Sequence, residues 1–185
     1  MPIQQEWFQQ LSRFFFAANA DEMLEPYLAL ANGFPAPTVN DWSAVEFSFN
    51  HLFVGPRALL APPYASIYLD GEHASLMGES TEQIRNLYEM VGLTSPWLNK
   101  IPDDHLALEL DALWQVGEAL LRIDSPQLRD VHAYLLAHLQ SWVPKFASRV
   151  RSVDDVNPAI LFVIDRLQAE LFNNVPTAVF EIAAC

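Results

Sequence analysis

Apolar residues recur three and four apart along nearly the whole chain, and no segment alternates apolar with polar between turn signals. That periodicity places a stripe on one face of a helix and cannot supply the two-residue repeat of a half-buried strand. An all-α fold follows: one compact domain over residues 1–185, with about eight helices. Trp7, Leu11, Phe14, Phe15 and Ala18 mark a first helix, broken at Asn19 and Asp21. A second starts near Pro26 and ends before Gly33, because proline suits a first helical turn and glycine a stop. Val45, Phe49, Leu52 and Phe53 mark a third, capped by Asn40 or Asp41. Ser80 with Gln83 reads as a capping box ahead of Ile84, Leu87, Tyr88 and Val91, a run closed by Gly92. Leu106, Leu110, Leu113, Gly117, Leu120 and Leu121 form a long helix that is apolar around most of its circumference, hence central. Ser125 and Pro126 cap the next, whose stripe runs through Leu128, Val131, Leu135, Leu139 and Trp142. Pro144 predicts its end, with a short helix over 145–150. Asn157 and Pro158 open the last, carried by Ile160, Ile164, Leu167 and Leu171.

Two stretches do not read as ordinary connections. Asn50 to Asp70, NHLFVGPRALLAPPYASIYLD, holds Gly55, Pro56, Pro62 and Pro63, which exclude regular helix from Val54 to Tyr64. So apolar a loop is expected to pack, and residues 54–64 are also the candidate hinge between two helical halves. Ala65 to Leu69 begins a helix or turn. Pro102 to Leu110, PDDHLALEL, is an acidic turn opening the most hydrophobic helix.

Ten basic against twenty-three acidic residues give a formal charge of −13. That field repels phosphate backbones and anionic lipid, so nucleic acid is not an expected partner, whereas a basic peptide would be drawn in. Acidity also serves solubility alone. No window approaches the roughly 18 apolar residues of a membrane span, so stable insertion is not expected. MPIQQEWFQQ lacks a basic region followed by an apolar core, which predicts a cytoplasmic location. The single cysteine, Cys185, forms no internal disulfide.

Glycine-rich phosphate loops, paired cysteines, HExxH and GxSxG are missing from the chain. The nearest approach to a catalytic cluster is Asp103, Asp104, His105 and Glu109. His105 and Glu109 are four apart on one helix face, the spacing of half a metal site, and a small metal-dependent hydrolase is the alternative built on them. The plainer reading has the acids capping the helix against its dipole. His51, His73, His132 and His138 are scattered. Phe49, Phe53, Tyr64 and Tyr68 read first as core, and second as the lining of a groove, since they flank irregular backbone.

NHLFVGPRALLAPPYASIYLDGE, then a capped helix ending in VGL, then PDDHLALEL, resembles the TorD/DmsD family of redox-enzyme maturation chaperones. The LFVGP and APP(aromatic)xSxxLD segments are most similar to the dimethyl sulfoxide reductase chaperones of DmsD type. The similarity runs from about Phe49 to Leu113, with an echo in the VPTAV of the tail. It implies a cytosolic all-helical protein with no reaction or cofactor of its own. Such a protein binds the twin-arginine leader of a molybdenum-containing oxidoreductase and holds it back from export until the cofactor is inserted. It also implies a monomer or a domain-swapped dimer. The ligand surface carried over by the resemblance is Phe49, Leu52, Phe53, Pro63, Tyr64, Tyr68, Asp104 and His105. Two departures concern the client: Lys100 and Ile101 stand where an acidic residue usually precedes PxDH, and Tyr64 and Tyr68 replace tryptophans. A twin-arginine leader joins two guanidinium groups to an apolar stretch, so its receptor needs carboxylates beside an apolar groove. The expectation is Asp104, with Asp103 or Glu109, facing the arginines, the rings and Leu52 covering the apolar part, and His105 fixing the turn.

Overall fold

Four helices close a ring around the core: Ile3–Phe16 packs on Leu106–Leu120, that on Pro126–Arg151, that on Pro158–Asn173, and the last back on the first. The computed structural model describes residues 3–56, 58–71, 78–94 and 100–173. The tail motif VPTAV, together with His73 and Cys185, lies outside them. The α-helices are α1 (Ile3–Phe16), α2 (Ala20–Ala31), α3 (Trp42–Phe49), α4 (Ala65–Leu69), α5 (Glu79–Met90), α6 (Leu106–Leu120), α7 (Pro126–Arg151) and α8 (Pro158–Asn173). Among the described residues the sole β-type pairing is an isolated bridge between Tyr64 and His105. One continuous cluster of buried side chains runs from Phe8 to Leu171 and takes in all four ring helices. As its stripe foretells, α6 sits at the centre, with Leu106, Leu110 and Leu113 fully buried.

Several helix boundaries differ from the sequence reading, each for a physical reason. α2 begins at Ala20, not near Pro26, because Asn19 caps it: Asn19 Oδ1 accepts from the Glu22 amide at 3.1 Å, and Glu22 accepts from the Ala18 amide at 2.9 Å. This N-x-x-E pair resembles a capping box, with the glutamate turned to the amide one residue before the cap. Pro26 lies inside the helix and is buried beside Met23, Tyr27 and Leu30. α7 runs unbroken through Pro144 to Arg151. An interior proline costs about 3 kcal/mol, yet Trp142, Val143, Phe146, Ala147 and Val150 are all buried around it. At roughly 1.5–3 kcal/mol for each large side chain removed from water, packing outweighs the lost hydrogen bond. Ser80 is no cap: α5 starts at Glu79 behind Gly78, and the Ser80 hydroxyl donates to Asp70 Oδ1 instead.

Other caps fall where expected. Asp41 accepts from the Ser43 and Ala44 amides, Ser125 from Leu128, and Asn157 from Ala159. α3 does not stop at Phe49 but widens into a π-helical turn, Asn50–Val54, closed by the Gly55 amide donating to Asn50 O at 2.9 Å. Gly55 follows at φ 104, in the region that favours glycine, which explains the glycine of LFVGP. The loop beyond is tied down: the Ala61 amide donates to Leu52 O at 3.0 Å, and Ala61 is fully buried.

Replacing Asn19 by alanine is expected to lower unfolding stability by about 1 kcal/mol, read as a shifted urea midpoint at unchanged slope.

Candidate functional site

The two unusual stretches meet edge to edge. Beyond the Tyr64–His105 bridge, the Ala65 amide donates to Asp104 O at 3.0 Å and the Leu106 amide to Pro63 O at 2.9 Å. The Tyr64 and His105 rings meet edge to face at 5.0 Å between centroids, and Phe16 of α1 stacks on His105 at 5.7 Å. Tyr64 and Asp104 therefore belong to one junction.

Within it the acids are consumed internally. Asp104 is fully buried, and its two carboxylate oxygens accept from the Ser66 amide and the Thr81 hydroxyl, each at 2.8 Å. It joins α4, α5 and the start of α6. Asp103 is also buried, its carboxylate bonded by Arg85 Nε at 2.7 Å and its carbonyl by the Tyr88 hydroxyl at 3.2 Å. Glu109 is fully buried and pairs at 2.8 Å with His138 Nδ1 from α7. Burial raises the Glu109 carboxyl above its ordinary value against the lowering effect of His138. Burial alone would lower His138, but the Glu109 bond and charge, with Asp104 and Asp70 nearby, hold it higher.

His105 is the N-cap of α6, its Nδ1 accepting from the Ala107 amide at 3.1 Å, so it accepts a hydrogen bond in fixing the turn. The metal-dependent hydrolase reading is not supported. His105 spends its Nδ1 on the cap, Glu109 turns to His138, and the described residues hold no group of three side chains suited to a metal.

The remaining carried-over residues divide by exposure. Phe49, Leu52 and Phe53 are buried, Phe49 and Phe53 against Phe15 and one another, and Pro63 is buried too. Tyr64 and Tyr68 are half-buried. The Tyr68 ring stacks on Trp142 at 5.7 Å, and burial pushes its hydroxyl up to about 12. What the α3 end offers to solvent lies on its other face. Phe47 is 74 % and Val54 62 % exposed, and Phe47 stacks on His51 at 6.3 Å. Phe47, Asn50, His51, Gly55 and Pro56 line a cavity of about 480 Å³. At 100° per residue Phe47 sits about 200° from the Val45 and Phe49 stripe. An aromatic off the buried face was a readable signal that the stripe count passed over.

A second cavity of about 550 Å³ opens beside the His105 junction, lined by Ser12, Arg13, Phe16, Asp21, Glu22, Glu25 and Asp111. Four carboxylates here border one aromatic ring. Arg13 pairs with Glu25 at 2.6 Å and Gln115 donates to Asp111. Asp21, Glu22 and Glu25 share α2, and Asp111 joins them from α6, a meeting of which linear spacing carried no trace.

Two outcomes test this account of the junction. Asp104→Ala leaves a buried amide and hydroxyl without their acceptor, and is expected to cost about 2–4 kcal/mol of stability in urea titration. Burial lowers His105 from 6.5 to about 4. The unfolded imidazole protonates first as pH falls, so the folded state binds fewer protons in that window and loses stability through it. Between pH 6.5 and 4 the native protein is expected to lose up to about 3 kcal/mol more than His105→Asn, which keeps a cap acceptor but does not titrate.

Similar proteins reinforce the resemblance. The model of the nitrate reductase delta subunit family matches residues 16–148. The chain is 29% identical to "Probable Tat proofreading chaperone DmsD" of Haemophilus influenzae over 71% of its own length and 64% of that protein's. It is 32% identical to "Chaperone protein TorD" of a Psychrobacter species over 78% of its own length and 70% of the relative's. Against other curated relatives, such as a Vibrio cholerae TorD, it spans 50% of their length. A crystal structure described as a redox enzyme maturation protein, from Archaeoglobus fulgidus, shares the fold with a TM-score of 0.60 and 21% identity, covering 90% of this chain and 91% of that one. The chain belongs to the nitrate reductase delta subunit family and, within it, to the TorD/DmsD group.

Proposed function

We infer that this protein is a chaperone that binds the twin-arginine leader of a molybdenum-containing oxidoreductase, without a reaction of its own. The observation that carries this reading is the edge-to-edge pairing of the 63–65 segment with the 104–106 turn. It brings the two stretches of the resemblance into one surface, and relatives named DmsD and TorD chaperones support the same role.

Of the eight residues carried over, Tyr64 and Tyr68 remain partly accessible for direct contact. Phe49, Leu52, Phe53 and Pro63 support the surface from beneath, and Asp104 with His105 holds its two halves together. A carboxylate that is fully buried and already bonded by a backbone amide and a hydroxyl is out of reach of a guanidinium arriving from solvent. Arginines are better met by the cavity of Asp21, Glu22, Glu25 and Asp111, three of which face solvent. The apolar part of a leader is suited to the cavity beside Phe47, His51 and Pro56. In a chain of charge −13 the long-range field favours the encounter and is screened by salt. No described helix is long and apolar enough to cross a membrane. α7 has the length, but it carries Arg129, Asp130, Lys145, Arg149 and Arg151. A basic, apolar leader and an acidic receptor are complementary.

Calorimetry with a synthetic twin-arginine leader is expected to give micromolar or tighter binding that weakens as salt is raised. Phe47→Ala and Asp111→Asn should each reduce affinity about fivefold or more with little change in melting temperature. Absence of binding to the native protein at low salt would contradict the reading.

A further inference from the structure

Among the described residues the 60–68 strip is anchored at six places, and two of the anchors are cations whose role nothing so far accounts for. Four are main-chain amides: Ala61 to Leu52 O, Ala65 to Asp104 O, Ser66 to the Asp104 carboxylate and Leu106 to Pro63 O. The others come from α7. Arg149 Nε donates to Leu60 O at 2.5 Å, and Lys145 Nζ donates to Tyr68 O at 3.1 Å. Lys145 and Arg149 are four residues apart, hence on one helix face, and their acceptors bracket the strip that carries Pro63, Tyr64 and Tyr68. Between them on α7 the Phe146 ring meets Tyr68 at 6.2 Å, and one turn earlier Trp142 stacks on it. The same stretch of α7 thus supplies both the apolar bed and the polar latches of the strip.

Both side chains are exposed, in a protein with only ten basic residues against twenty-three acidic. Placing two cations here runs against the charge a basic ligand needs. Were they merely part of the electrostatic surface, they would weaken its binding, since they act within a Debye length of about 8 Å. Their observed use is different: each donates to a backbone carbonyl at one end of the strip, and so each fixes where the strip runs.

Resting on the leader-binding reading, we propose that Lys145 and Arg149 are positioning residues. They latch Leu60 and Tyr68 to α7, and so hold the Pro63–Tyr68 surface in the conformation that receives the leader. The benefit is preorganisation: a strip already ordered does not pay its ordering entropy on binding. Removal of the two cations then has two effects of opposite sign on a basic peptide. Loss of repulsion tightens binding, while loss of the latch weakens it, and the latch dominates.

The test uses the full chain with the double variant Lys145→Met and Arg149→Met, which keeps the stems and removes the donors. The conservative exchange Lys145→Arg with Arg149→Lys keeps both donors. Amide hydrogen exchange without peptide is expected to quicken at Ala61 and Ala65 in the methionine variant and to return to native rates in the conservative one. Calorimetry with a twin-arginine leader should show affinity reduced about fivefold by the methionine pair and restored by the exchange, at similar melting temperatures. Unchanged or tighter binding would overturn the proposal. So would weaker binding with native exchange at Ala61 and Ala65, since that assigns the cations to direct contact. Failure of the native protein to bind the leader would overturn the reading beneath it, and is told apart because exchange is measured on the free protein.

Discussion

The buried carboxylate of Asp104 is the interaction on which the arrangement turns. A charge taken wholly out of water is tolerable only if its oxygens are met by donors, and Asp104 draws them from two other parts of the chain. The Ser66 amide at the start of α4, the Thr81 hydroxyl in the first turn of α5 and its own position ahead of α6 converge on one group. Main-chain bonds between Pro63, Ala65, Asp104 and Leu106 extend the same contact sideways. With Asp103 locked to Arg85 and Tyr88, the acidic turn is a clasp, and the aromatic strip rests where it does because the clasp is closed.

That arrangement separates two kinds of acid that a sequence presents alike. Asp103, Asp104 and Glu109 are buried and bonded within the fold. Asp21, Glu22 and Glu25 face solvent, and Asp111 stands at the edge of the cavity they share. The family resemblance rests on the first set, whereas a guanidinium can reach the second. Motif acids and solvent-facing acids are therefore different residues. Similarly, the carried-over phenylalanines build the floor while Phe47, one face around the same helix, presents the ring.

Periodicity was enough for the fold class, because every helix longer than two turns carries a stripe and buried positions such as Leu110, Leu135 and Ile164 fall on it. Prolines misled at both interior sites. A propensity of a few kcal/mol is local, while burial of Met23 and Tyr27 around Pro26, or Trp142 and Phe146 around Pro144, is set by partners elsewhere in the chain. The Asn19 cap with Glu22 three residues on was legible and passed over, whereas the Ser80–Gln83 pattern matched a capping box without forming one, since Asp70 took the serine hydroxyl. Neither the Glu109–His138 pair nor the latches from Lys145 and Arg149 left any trace in spacing, for they join residues far apart in the chain. The π-helical turn at Asn50–Val54 sits where the helical stripe runs into LFVGP. There the wider turn precedes the left-handed Gly55, a feature that local motif reading pointed at without resolving.

The central claim is that the joined stretches form the receiving surface for a basic, apolar leader. Amide chemical-shift changes in isotope-labelled protein, followed as a twin-arginine leader peptide is added, test it most directly. The account predicts perturbations concentrated at residues 47–56, 64–68 and 105–111 and at the start of α2. Shifts confined to α8 and the far end of α7, with these segments unmoved, would contradict it.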